Sequence, residues 1–410
     1  MDLNLKRPFS IESEQRRRLQ GQFRDLLLNN VVPFWQRYGI DWQDGGMLTC
    51  IGDDGSTLST DKFIWSQARS VWTFSALYNR VEQRREFLRA AENSVRFLLA
   101  HGRDSLGRWL YHTDRAGNVL EGATSIYSDC FAVYGLSEYF RACHDQQAIA
   151  IAWETFERIR RRIEEPDFQE TAPYPLPPGW RNHGVPMIMA EVSSEFAQTT
   201  GDRGLESATD NYVQRIMDHF VRPERKVVLE FLTRDYKELP APAGTFVMPG
   251  HAIECMWFVM QIAARRGNRE LIRRTAEVML WHLELGWDAE YGGLFLSRDI
   301  EGNTPYLPYS EMKVWWPHTE AMYGTLLAFH LTGRMEFLDW FEKVSHWAWE
   351  HFPVSTGEWR QRLTRDGKPS AEIVALPVKD PFHLPRAAIL ILQLLEKMEK
   401  DTAAGSEGVR

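Results

Sequence analysis

The sequence predicts an all-α protein, an (α/α)6 barrel with short β-hairpins on one rim. Three observations predict it. Apolar residues at helical spacing recur in twelve stretches, mostly of sixteen to twenty residues. A unit of glycine entry, short strand and Asp/Gly turn recurs between helix pairs. No linker or low-complexity break interrupts the series before Lys400, so 1–400 reads as one domain and 401–410 as a disordered tail.

The first helix is expected over 11–38, with Leu19, Phe23, Leu26 and Leu27 on one stripe. The others are expected at 63–79, 86–102, 127–142, 145–165, 186–200, 204–221, 247–266, 268–286, 315–332, 335–352 and 383–398. The hairpin unit appears as Gly45-Gly46-Met47-Leu48 ahead of Asp53-Asp54-Gly55, and as Gly107-Arg108-Trp109-Leu110 ahead of Asp114-Arg115-Ala116-Gly117. It returns as Gly292-Gly293-Leu294-Phe295 ahead of Arg298 to Gly302, and as Gly357-Glu358-Trp359-Arg360 ahead of Arg365-Asp366-Gly367. Val227 to Glu230, before Arg234-Asp235, is a weaker copy. Hairpins on every second link, and terminal helices that are not polar caps, favour a closed barrel over an open solenoid.

Composition narrows the function. A hydrophobic content of 44% supports a full core. The sixteen tryptophans suit carbohydrate faces as well as cores. A net charge of −8 with no basic stripe argues against nucleic acid; Arg158 to Arg162 read as a solvated helix face. Cys50, Cys130, Cys143 and Cys255 have neither CxxC nor metal spacing, which fits free thiols in a reducing compartment. The polar N-terminus has no signal-peptide pattern, and no apolar run is long enough to span a membrane, so the cytoplasm is the expected location. No metal or cofactor is expected, since neither HxH nor HExxH occurs and no phosphate-cradling loop is seen.

Two stretches carry the chemistry. Met248-Pro249-Gly250-His251-Ala252-Ile253-Glu254 opens an apolar helix, placing His251 in its first turn with Glu254 on the same face. A helix N-terminus favours neutral imidazole, and a carboxylate nearby makes a general base. Asp380-Pro381-Phe382-His383 repeats the design: Asp380 reads as an N-cap, Pro381 as the first helical residue, and His383 lies in a first turn too. In a closed barrel, equivalent helix ends converge on one mouth, so the two histidines can face each other across a small substrate.

These residues resemble the N-acylglucosamine 2-epimerase superfamily, along nearly the whole chain. The matching stretches are Lys62 to Trp72, Ser128-Asp129-Cys130-Phe131, Val185-Pro186-Met187, Pro249 to Phe258, Trp287-Asp288 with Tyr291-Gly292-Gly293, Trp315-Trp316-Pro317-His318-Thr319-Glu320-Ala321, and Phe382 to Arg386. The resemblance implies the (α/α)6 barrel, with His251 and His383 as paired acid/base residues and Glu254 orienting or tuning His251. It implies Arg69 on substrate oxygens beside the reacting carbons, and Trp315, Trp316 and Glu320 along the pocket. Homodimers are common in such a family. Asp129 reads equally as a helix cap or a substrate ligand, and Glu230 is a candidate substrate contact. His318 and His183 read as core and loop residues.

The implied chemistry is C2 epimerisation of a free reducing sugar. One base takes the C2 proton of the open-chain aldehyde, a forked arginine meets the oxyanion of an enediolate-like intermediate, and the second histidine returns a proton to the other face. N-acyl-D-glucosamine/N-acyl-D-mannosamine is the expected pair. D-mannose/D-glucose, or an aldose–ketose isomerisation, is the alternative, because Val378 replaces an aromatic often found before the last histidine. A glycoside hydrolase using Asp129 and Glu320, or a non-catalytic sugar-binding protein, are readings from other classes.

Overall fold

A computed structural model describes residues 9–169 and 175–407. Among them are twelve helices of at least thirteen residues. These are α1 (Ser13–Asp25), α2 (Ile64–Arg80), α3 (Arg85–His101), α4 (Ile126–Cys143), α5 (Gln146–Arg162) and α6 (Gly184–Thr200). They continue as α7 (Arg203–Arg215), α8 (Pro249–Arg265), α9 (Arg269–Gly286), α10 (Trp315–Thr332), α11 (Met335–His351) and α12 (His383–Glu407). Two overrun their α-helical ends in π-helical turns: α1 continues through Leu26–Val31 and Trp35–Gly39, and α7 through Ile216–Phe220.

Every expected helix is present. The tail expected from 401 is helical as far as Glu407, because α12 simply runs on; 408–410 lie outside the described residues.

Packing closes the barrel. Helices α2, α4, α6, α8, α10 and α12 each pack on the next, and α12 packs back on α2. The odd-numbered helices lie outside, α3 against α2, α5 against α4 and so on, with α1 against α12. Sequence explains the two rings. Outer α3 buries only one stripe, including Phe87, Ala90, Ala91, Val95 and Leu98. Inner α10 is buried on almost every side from Pro317 to His330. Inner helices must also approach closely: a Cβ at Gly135 of α4 would lie 2.4 Å from the Ala68 carbonyl oxygen of α2.

The expected turns do close locally, His112–Thr113 with Val119–Glu121 and the antiparallel bridges Ile51 to Thr57, Leu232 to Glu238 and Leu363 to Pro369, but a second layer of pairing was not expected. Most of the paired two- and three-residue strands join a strand leading into an inner helix to a later link of the chain. Lys62–Phe63, ahead of α2, pairs with His112–Thr113, which pairs with Val119–Glu121 around the Asp114 to Gly117 turn. Lys313–Val314, ahead of α10, pairs with Arg362–Leu363, and Phe246–Val247, ahead of α8, with Arg298–Asp299. Trp180–Asn182, ahead of α6, pairs with Phe231–Thr233. Val221–Arg222 with Val227–Val228 is a local hairpin. The glycine-entry segments themselves form single bridges such as Ile40 to Met47 and Trp287 to Leu294.

Two of these junctions are clamped alike. Lys62 Nζ donates to Asp41 at 3.0 Å, and Arg115 Nε donates to the same carboxylate at 2.9 Å. Lys313 Nζ donates to Asp288 at 3.0 Å, and Arg365 Nε donates there at 2.9 Å. Both lysines are buried with their carboxylates, so each strand is locked just where it hands over to an inner helix. The N-terminal turns of the inner helices are thereby fixed beside the short sheets.

Candidate active site

Those first turns line a cavity of about 310 Å³. Its wall includes Trp65, Arg69, Phe131, Met187, Glu230, His251, Glu254, Phe258, Trp315, Trp316, Val378, Asp380, His383 and Arg386. It is mostly apolar and aromatic with a few converging polar groups, the composition of a small-molecule site. No helix among the described residues is long and apolar enough to cross a membrane.

His251 is the third residue of α8, after Pro249 at the start of the helix. Its Nδ1 lies 3.0 Å from Glu230 Oε1. His383 begins α12, and its Nδ1 lies 2.7 Å from Glu320 Oε1. Each imidazole thus gives Nδ1–H to a buried carboxylate, which leaves Nε2 free. The Trp316 ring stands beside both, with centroids 5.2 Å from His251 and 5.7 Å from His383.

The two rings differ in electrostatics. Burial disfavours charge on His251, but the Glu230 carboxylate, by charge and hydrogen bond, outweighs it, and the pKa is raised. Burial and the guanidinium of Arg69 push His383 well below the ordinary range, against the opposing charge of Glu254. The two shifts run in opposite directions, so a proton is held more firmly at His251 than at His383. This corrects the expectation that the helix terminus keeps His251 neutral: a buried carboxylate at 3.0 Å outweighs partial helix charges.

Glu254 does tune His251, its charge adding to the raised pKa, but the expected orienting role of Glu254 is corrected. Its carboxylate accepts from Arg386, and Glu230, from the link between two strands, holds His251 instead. Glu320, expected against substrate, is 1% exposed and fully engaged. It accepts from His383, from Arg386 at 2.7 Å and from Trp257 Nε1 at 2.9 Å. Asp129 is not on the cavity wall; burial raises its pKa to about 7, against the charges of Arg158 and Arg162. A hydrolytic pair of Asp129 and Glu320 is therefore not presented to this cavity. Asp380 is no helix cap: it has φ +27°, and its carboxylate accepts from Arg69 Nη1 at 2.9 Å.

Arg69 does reach the cavity, its guanidinium stacked 4.1 Å over the Phe131 ring and 4.7 Å over Trp65 and Phe382. Trp315 and Trp316 line the wall as expected, as does Val378. His318 is a core residue, Nδ1 donating to the Val314 carbonyl and Nε2 accepting from Leu294 N–H. Asp380 and Arg386 were missed as site residues. Their only sequence signal was their place in the stretch around His383.

Among the described residues, two groups are compact enough to touch a cation, His183 with Glu230 and His251, and Glu254 with Glu320 and His383. No spacing rule announced either. In the second, Arg386 already supplies the positive charge. In the first, a metal ion would have to displace the proton between His251 Nδ1 and Glu230.

A family model described as N-acylglucosamine 2-epimerase (GlcNAc 2-epimerase) matches residues 46–387. N-acylglucosamine 2-epimerase of Bos taurus is 31% identical over 388 residues, covering 92% of each chain. Cellobiose 2-epimerase of Dictyoglomus turgidum is 24% identical over 92% of this chain and 98% of its own. In fold, the chain superimposes on cellobiose 2-epimerase from Bacillus thermoamylovorans B4167 with a TM-score of 0.80 at 21% identity, over 92% of this chain and 99% of that one. Barrel and family together define a carbohydrate epimerase, an isomerase. The chain belongs to the N-acylglucosamine 2-epimerase family.

Proposed function

We propose that the enzyme interconverts N-acyl-D-glucosamine and N-acyl-D-mannosamine by a two-histidine transfer at C2. The observation that carries this reading is the pairing of His251 and His383, each held at Nδ1 by a buried glutamate and each on the wall of one cavity. In the resting enzyme neutral His383 is the base and protonated His251 the acid. His383 Nε2 takes the C2 proton of the open-chain aldose, and the electron pair moves into an enolate whose oxyanion is the former aldehyde oxygen and whose C2 carries the acylamino group. The Arg69 guanidinium meets the developing oxyanion. His251 Nε2–H then delivers its proton to the opposite face of C2, giving the epimer. In reverse, His251 is the base and His383 the acid.

Identity to N-acylglucosamine 2-epimerases, 29–31%, exceeds that to cellobiose 2-epimerase, 24%, and supports the acylated substrate. D-mannose/D-glucose is the second reading, favoured by Val378 on the cavity wall. Four cysteines that form no disulfide support a cytoplasmic, reducing location. Light scattering after size exclusion tests the expected homodimer.

Proton NMR in D2O, with N-acetylmannosamine and separately with D-mannose, decides between substrates. Loss of the C2 proton signal of one sugar, with its epimer appearing, fixes reaction and substrate together. A ketose product would overturn the two-face scheme.

A further inference from the structure

His183 is a buried polar residue that the transfer above leaves unused. It is 1% exposed and sits immediately before α6, its ring 6.1 Å from Phe220 and 5.8 Å from His251 between centroids. Its backbone N–H donates to the Glu230 carbonyl at 3.1 Å, extending the ladder in which Asn182 faces Phe231. Strand register therefore sets the His183 and Glu230 side chains next to each other.

Glu230 lies between two imidazoles. Its Oε1 is 3.0 Å from His251 Nδ1, and its Oε2 is 3.3 Å from His183 Nδ1. The second contact is off the ideal hydrogen-bond line, and among the described residues neither ring nitrogen of His183 has another hydrogen-bond partner. An apolar side chain would fill this place without losing hydration, so the imidazole marks a polar task. The polar side-chain contact available for that task is Glu230. Behind it, His282 Nε2 accepts from Val228 N–H at 2.8 Å, bracing the strand that leads to Glu230.

We infer that His183 is a positioning residue: by drawing on the second oxygen of Glu230, it fixes that carboxylate against His251 and limits how firmly His251 holds its proton. This rests on the acid/base reading of His251. The groups that bear on the His251 ring are Glu230 from the strand link, Glu254 from its own helix, His183 across Glu230, and His383 across the cavity. A carboxylate shared by two imidazoles stabilises charge on each less than an unshared one. Removing His183 leaves the whole carboxylate to His251.

The test is a histidine-ring NMR titration of the intact protein, with the His251 signal assigned from His251→Gln. In His183→Leu the His251 midpoint rises by about half a pH unit or more. In His183→Asn, whose amide can donate to Glu230, it stays near wild type. The alkaline limb of kcat/KM moves with the midpoint, and kcat of His183→Leu falls roughly tenfold with KM little changed. In a Glu230→Gln background, His183→Leu has no further effect on the midpoint. An unchanged midpoint in His183→Leu overturns the inference, as does a shift that persists in the Glu230→Gln background. Should His183→Leu fail to fold, His183→Met carries the same expectation. A midpoint that moves while the rate limb does not leaves the positioning role standing and sinks the acid/base role of His251.

Discussion

His383 Nδ1 donates to Glu320 Oε1 at 2.7 Å, joining the first residue of the last helix to the interior of α10. The bond sets the tautomer that presents Nε2 to the cavity, and Arg386 donates to the same Glu320 oxygen at 2.7 Å. Glu320→Gln should therefore lower kcat by about 10–100-fold. Removing one partner of a buried ion pair costs about 3–5 kcal/mol, and the surviving Glu254–Arg386 contact keeps the loss near the lower figure. Steady-state kinetics and thermal melts check both; an unchanged kcat would remove Glu320 from the mechanism.

Two bases predict separable half-reactions. His251→Gln and His383→Ala should each lose epimerisation by roughly 10²–10⁴-fold. In D2O each variant should still exchange the C2 proton of one epimer, the one whose hydrogen faces the remaining histidine. NMR of each pure epimer distinguishes this from loss of all exchange, which would place both histidines in a single step.

The pH profile follows from the opposite shifts of the two rings. Burial and Arg69 lower the pKa of His383, so its base form survives below the ordinary histidine range. Glu230 raises that of His251 against the effect of burial, so its acid form survives above that range. Activity needs one proton on the pair. It falls on the acid side as His383 gains a second proton, and on the alkaline side as His251 loses the last one. The profile is a bell whose plateau spans the unperturbed value near about 6.5. Glu230→Gln removes the raising charge and moves the alkaline limb down. A limb that stays in place would separate Glu230 from His251.

Arg69 is held by Asp380 and by three aromatic faces, which aim its fork into the cavity. Lysine keeps the charge but neither the plane nor the fork. Arg69→Lys should cut kcat by about 10²–10³-fold, the usual loss when an oxyanion donor goes. A comparable fall in affinity with kcat intact would make Arg69 a ground-state binder instead.

Gly135 tests the barrel itself. A methyl there would meet the Ala68 carbonyl at 2.4 Å and push α4 from α2. Gly135→Ala should destabilise by about 1–3 kcal/mol, read as a lower denaturant midpoint with an unchanged slope.

Much of this was legible in the sequence alone. Periodicity placed all twelve helices, because an inner or outer face is written locally at 3.6-residue spacing. Proline and glycine placed His251 in a first turn, and the stretch around His383 did the same for that ring. The hairpin motif marked the right links and their local turns, but not the strands that lead into the inner helices and pair across to later links, because those pairings depend on which helix ends the barrel brings together. Spacing chose Glu254 for His251 because three residues apart means one helix face. The structure chose Glu230, since Arg386 arrives from α12 to claim Glu254.

The sequence by itself determined the helices, their rhythm in pairs, and the residues that lead each inner helix. The tertiary structure decided which charge meets which. Glu320 and His383 are 63 residues apart, and Glu254 and Arg386 are 132 apart. Such contacts form only when α12 closes the ring against α2. Burial then makes each pairing compulsory, since an unpaired charge in the barrel interior costs far more than the same charge on the surface.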